Sequence, residues 1–160
     1  MSTTGQMLEN IGRSKEEGID LSIDPFASNL GIAFQSASPD RVVATMPIDG
    51  SKLQPMGALA GGATITLLET VASRGAAERT DFDTERCFGY DVTVHHRKPG
   101  LKGKVTGIAE IDRVEGNAQY WSVRAVDDSG DTLSYGTVVT KIVSLSYLAQ
   151  KDERRKKALS

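Results

Sequence analysis

One cysteine, two histidines and one tryptophan among 160 residues exclude several kinds of protein at once. Cys87 has no partner for an internal disulfide, so the fold must hold without covalent staples, in keeping with a reducing compartment. His95 and His96 are sequence neighbours and would face opposite ways on a strand. They cannot comfortably share one ion and no other histidine exists to complete a set, so no metal site is expected. No apolar run approaches the ~18 residues of a spanning helix. The start, Met1–Asn10, lacks the basic residues and apolar block of a signal peptide. A soluble cytoplasmic protein is the expectation, with no membrane partner. Neither charge sign dominates: 19 Lys and Arg stand against 21 Asp and Glu, net -2, which gives no global pull toward nucleic acid. The Asp127–Asp131 run lacks the spacing of a calcium loop and reads as a turn.

What is present suffices for one domain with a real core, and no repeat or low-complexity linker divides it. Residues 1–27 read as a peripheral extension. Met7, Leu8 and Ile11 form one face of a short helix, and Pro25 closes the segment. Two strands follow at 29–37 and 41–48, joined by the Ser38-Pro-Asp turn as a hairpin. A helix spans 61–79, with Leu68, Val71, Ala72 and Ala76 at helical spacing. Four strands then occupy 86–97, 103–114, 117–126 and 132–143, read as an antiparallel meander with turns at Glu115-Gly-Asn and Asp127–Asp131. In the first of these, Gly89, Asp91 and Thr93 alternate with Tyr90, Val92 and Val94 and so share one face. Residues 144–160 form a charged, helical or frayed tail. The order β-β-α-β-β-β-β predicts an α+β domain over 28–143, a curled sheet around one long helix.

That helix holds the chain's oddest feature. From Leu53 to Ser73 the only ionisable side chain is Glu69. A stretch so poor in charge is expected to be buried, and a carboxylate there needs a partner or a chemical task. Its helical neighbours are small and largely apolar, which predicts partial desolvation. Thr64, Ile65, Thr66 and Val71 are not strong helix formers, so burial must help to hold the helix. Gly61 and Gly62 stand where the helix begins, with unpaired N–H donors and the positive dipole end behind them.

The run Gln54-Pro-Met-Gly-Ala-Leu-Ala-Gly-Gly, with Glu69 seven residues after Gly62, resembles the motif of hotdog-fold acyl-CoA thioesterases. The Glu-using group that contains the 4-hydroxybenzoyl-CoA thioesterases is the nearest match. The later run Val94-His-His-Arg-Lys-Pro, followed by Gly103-Lys-Val, resembles the family's strand-and-turn signature more loosely, because Lys98 separates Arg97 from Pro99. The likeness covers about residues 28–143. It implies a hotdog fold, a curved antiparallel sheet wrapped around the helix. It also implies hydrolysis of an aryl- or acyl-CoA thioester, with no cofactor beyond the coenzyme A of the substrate.

In this reading Glu69 is the nucleophile or the general base on water, two routes the sequence leaves open. The Gly62 N–H polarises the thioester oxygen. By resemblance, Gln54 lies near the carboxylate or its water and Ser73, one turn after Glu69, assists hydrolysis. Gly61 lets substrate approach the backbone. Gly89 and Asp91 come from a partner's strand, and Arg97, Lys98, Lys102 and Lys104 meet the phosphates of coenzyme A. The resemblance further implies a homodimer or homotetramer with the site at the subunit interface. One position departs from the pattern: the family's histidine before Gly-Gly is Ala60. That departure motivates a second reading, a noncatalytic acyl-CoA-binding or sensing protein.

Overall fold

The computed structural model describes residues 3–17 and 24–158. In chain order the elements are α1 (Thr3–Glu16), α2 (Pro25–Asn29), β1 (Ala33–Ala37), β2 (Arg41–Pro47), α3 (Gly61–Glu78), β3 (Glu85–His96), β4 (Lys104–Glu115), β5 (Ala118–Val126), β6 (Thr132–Ser144) and α4 (Leu145–Ala158). The tail is thus helical as far as it is described, and α1 lies against it. Pro25 does not close a segment. It opens α2, where its missing N–H costs nothing and Asp24 caps the helix by accepting from the Ala27 N–H at 3.0 Å.

The six strands form one antiparallel sheet in the order β1-β2-β4-β5-β6-β3. The β1–β2 hairpin is as the sequence predicts. The later strands are not a simple meander. β4 leaves the neighbourhood of β3 and pairs with β2 on one side and β5 on the other, while β3 pairs with β6 at the far edge. The whole sheet wraps α3, which touches every strand.

The residues explain how closely helix and sheet meet. Thr64, Leu67, Leu68, Val71, Gly75 and Ala76 repeat at three and four residues and are all buried. Leu67 presses on β4 at Gly107, where a Cβ would stand 2.7 Å from the leucine Cγ. Trp121 of β5, fully buried, covers Gly75, where a Cβ would come within 2.4 Å of the indole ring. The indole N–H donates to Thr140 Oγ1 at 3.0 Å, and that hydroxyl donates to Gln119 Oε1 at 2.9 Å. The core's largest side chain therefore has its one polar atom satisfied, and its orientation is set by neighbouring strands.

β3 carries a bulge between Gly89 and Asp91, where Tyr90 has no partner on β6. One extra residue reverses the alternation. Before the bulge Cys87 packs against the core and Gly89 faces α3; after it Val94 and His96 take that side. The expectation that Gly89, Asp91 and Thr93 share a face fails here for that reason. Asp91 and Thr93 do lie together, with the Thr93 hydroxyl donating to Asp91 at 3.3 Å, but on the face away from Gly89.

The contact between helix and sheet makes a prediction. Gly75→Ala forces a methyl into the Trp121 ring and should cost about 2 kcal/mol or more by denaturant unfolding. An exposed-position control, Gly116→Asn, sits at φ 59 in open space and should change stability little. Equal effects at the two sites would contradict the packing described.

Candidate active site

The segment from Lys52 to Ala60 feeds α3 and is fixed by backbone bonds. Ala60 N–H donates to Lys52 O, and Leu59 N–H donates to Gly100 O, each at 2.8 Å. Lys52 is itself buried, its ammonium on Asp49 at 2.5 Å. The hydrogen bond from Lys52, with that from Ser51, holds the Asp49 carboxyl down to about 2. Within this loop Gln54 O accepts from Gly57 N–H at 2.8 Å. Gln54 Oε1 accepts from Met56 N–H at the same distance, leaving the amide NH2 of the side chain as a donor.

α3 starts at Ala60, an N-cap residue whose methyl caps nothing. The N–H groups of Gly61 and Gly62 have no acceptor among the described residues. Gly62 is exposed, and space is open around its Cα. No acid lies in the first turn to neutralise the helix's positive end. Gly61 borders a groove of about 450 Å³ lined also by Gln54, Thr64, His96, Arg97 and Ser134, among others, and Gly62 follows it on the helix.

Glu69 lies two turns further on, half-buried, on the inner wall of a second groove of about 530 Å³. Ser73, one turn later, donates its hydroxyl to Glu69 Oε1 at 2.8 Å. The same oxygen faces Gly89 of β3, where a Cβ would stand only 2.7 Å away. Phe26 and Ala27 of α2, Ile32, Phe34 of β1 and Ala77 supply an apolar wall, and Arg74 lies over the Phe34 ring, 5.8 Å from its centroid. A carboxylate with one oxygen fixed and the other free, beside an apolar trough, is suited to attack an electron-poor carbon or to take a proton from water.

The residues singled out in the sequence therefore fall into two clusters. Glu69, Ser73 and Gly89 meet in one groove; Gln54, Gly61, Arg97 and Lys98 line the other, with Gly62 beside it. Seven residues of helix, about 10 Å, separate Gly62 from Glu69. The Ser73 bond draws the carboxylate further toward the helix C-terminus. Among the basic residues, Lys98 is already committed, its ammonium shared by Asp127 and Asp131, which raises its pKa above the ordinary lysine value through the Asp131 and then the Asp127 hydrogen bonds. Arg97 makes no ion pair among the described residues. Lys102 is exposed on the loop between β3 and β4, and Lys104 is exposed at the start of β4. No cluster of three metal-binding side chains occurs among the described residues.

Sequence reasoning passed over Phe26, Ile32 and Phe34, and weighed His96 only as a metal ligand. The first three come from segments read as peripheral or as plain strand. His96 turns inward only because of the bulge. His95, on the outer face, stacks on Tyr135 with ring centroids 5.3 Å apart. The alternation of the two histidines was legible, but which of them faces the helix was not.

Comparison with known proteins gives these clusters a context. The thioesterase superfamily pattern matches residues 56–134, which contain α3, Glu69 and the β3–β4 turn. A putative esterase of Deinococcus radiodurans is 33% identical over 118 residues, 74% of each chain. The 1,4-dihydroxy-2-naphthoyl-CoA hydrolase of Escherichia coli is 27% identical over 114 residues, 71% of this chain and 83% of that one. A mutant thioesterase from Pseudomonas aeruginosa superposes with a TM-score of 0.72 at 25% identity, covering 86% of this chain and 94% of the other. By sequence and by architecture, the chain belongs to the thioesterase superfamily and has its hotdog fold.

Proposed function

We propose that this protein hydrolyses the thioester of an aryl- or acyl-CoA to the free acid and coenzyme A. The observation that carries the proposal is Glu69, half-buried in the apolar groove, with Ser73 on one oxygen and Gly89 leaving the approach open. Either of two routes balances. In one, a Glu69 oxygen bonds to the carbonyl carbon, the C–S bond breaks to release the thiolate, and water then cleaves the mixed anhydride. In the other, Glu69 takes a proton from water as the water oxygen bonds to that carbon, and the thiolate leaves as before. No cofactor is required by either.

The Phe26, Ile32 and Phe34 wall suits an aromatic or branched apolar acyl group, and the likeness to an aryl-CoA hydrolase agrees with that choice. Arg97, which lines the groove at the helix start and makes no ion pair among the described residues, is the best-placed cation for the phosphates of coenzyme A. Lys102 and Lys104 lie near enough in sequence to add charge, while Lys98 would have to leave two carboxylates.

A second copy of the chain completes the site in this proposal. A thioester cannot readily be held at the Gly62 donors and attacked by the same chain's Glu69 when the carboxylate leans away from them. β3, an edge strand with one row of backbone groups unpaired, offers the surface through which two copies would join. The assembly is a homodimer or a pair of dimers, and the enzyme works in the cytoplasm. The second reading, a noncatalytic acyl-CoA binder, is favoured by one observation, the methyl of Ala60 at the helix start.

Three measurements test this. Thiol release from a panel of aryl- and acyl-CoA thioesters should be catalysed by the wild type and fall by about 1000-fold or more in Glu69→Ala. Binding without turnover on the whole panel would favour the binder. Arg97→Ala should raise KM for CoA thioesters by about tenfold with little change in kcat, and should not affect a short pantetheine thioester lacking the nucleotide. Solution mass should correspond to a dimer or tetramer; a strict monomer with full activity would remove the shared site.

A further inference from the structure

The groove at the start of α3 contains a side chain that the reaction described above does not use. His96 ends β3 on its helix-facing side. Its Nδ1 is 2.8 Å from Ser134 Oγ, and its Nε2 lies so close to α3 that a Cβ on Gly61 would be 2.9 Å from it. Ser134 is 2% exposed, and the imidazole is its hydroxyl's one hydrogen-bond partner among the described residues. A buried hydroxyl that donates must therefore donate to Nδ1. With the hydroxyl donating, Nδ1 is the acceptor and the proton of the neutral ring is on Nε2, the nitrogen turned toward the first turn of the helix. In that tautomer the side chain is a donor beside Gly61, at a helix start whose Gly61 and Gly62 N–H groups have no acceptor among the described residues, in a groove it shares with the Gln54 amide.

Three features agree on this arrangement. Residue 61 is glycine, and any side chain there would displace the ring. Ala60 supplies no polar group of its own to the helix start. The bulge at Gly89–Asp91 is what brings His96 round to this face. We propose that His96 is a catalytic residue: its Nε2–H donates to the thioester carbonyl oxygen beside the helix-start N–H, forming a two-donor oxyanion hole. This rests on the thioesterase reading. As the nucleophile bonds to the carbonyl carbon, the C=O electron pair moves onto oxygen and both donors tighten on it. When the C–S bond breaks the pair returns, so the imidazole gains and loses no proton. A donor that strengthens as charge develops acts on kcat more than on KM.

The test compares His96→Ala, His96→Gln and Gly61→Ala with the wild type, in thiol release from the best aryl- or acyl-CoA of the panel. His96→Ala should lower kcat on the order of 100-fold with KM changed by less than about threefold. Gln places an amide N–H close to where Nε2 lies and should restore kcat to within about tenfold of the wild type. Gly61→Ala, which pushes the ring aside, should resemble His96→Ala and guards against a folding defect in the latter. If the wild type is active and His96→Ala keeps its kcat, or loses only KM, the inference is wrong and the thioesterase reading stands. If the wild type hydrolyses nothing, that reading is wrong, and a carbon-13 ketone analogue of acyl-CoA with CH2 in place of sulfur still decides the donor. Its carbonyl stretch should fall on binding to the wild type and not on binding to His96→Ala. An unshifted stretch, or no binding, overturns the proposal.

Discussion

Trp121 lies so close to α3 that residue 75 can have no side chain, and Leu67 lies so close to β4 that residue 107 can have none either. These two contacts, on different strands of one sheet, set the distance between the helix and the concave face that holds it. A helix built from Thr64, Ile65, Thr66, Thr70 and Val71 has little reason to form in water. It forms because Leu67, Leu68, Val71, Ala72 and Ala76 are removed from solvent by the surrounding strands. At roughly 1.5–3 kcal/mol for each fully buried large apolar side chain, that burial outweighs the few tenths per residue lost to poor propensity. The approach brought about by this packing also places Glu69 against the backbone of β3 and His96 against the backbone of α3.

The bulge in β3 converts that closeness into a site. A regular strand would place Gly89 and His96 on opposite faces, because seven residues separate them. With Tyr90 extruded, both face the helix, one at each end of the segment that carries the candidate chemistry. Tyr90 is not lost to the fold: its ring receives the Lys141 ammonium at 3.3 Å on the outer face. Deleting the irregularity would leave either the Glu69 end or the His96 end of α3 without its partner from β3.

Much of this was readable in the residues. The order of the elements, the burial of the central helix and the isolation of Glu69 follow from periodicity and from the absence of charge between Leu53 and Ser73. The contact between Glu69 and Ser73 follows from helical spacing alone. Strand order did not follow, because the pairing of β4 with β2 rather than β3 depends on contacts between segments remote in sequence. The bulge did not follow either. Gly89-Tyr-Asp-Val-Thr-Val alternates as well as any regular strand, and nothing in it marks the residue to be left unpaired. The Phe26–Phe34 wall was missed for a similar reason. Pro25 reads as a stop when taken alone, whereas with Asp24 before it the pair is a helix start.

The electrostatics of α3 connect these pieces. An acid in the first turn is the usual way to stabilise a helix, worth about 0.3–1 kcal/mol, and this helix has none. Its N-cap is alanine, which forgoes about another 1 kcal/mol relative to a serine or aspartate. Both omissions leave donors and positive potential exposed at Gly61 and Gly62. Of the two carboxylates in the helix, Glu78 closes its last turn, and Glu69, two turns from the start, is drawn by Ser73 in the opposite direction, so neither neutralises them. Fold stability alone would favour a capping side chain at residue 60 and an acid in the turn after it. Reserving that end for a partial negative charge brought by another molecule accounts for both absences, and it is the same demand that a thioester carbonyl makes as it becomes tetrahedral.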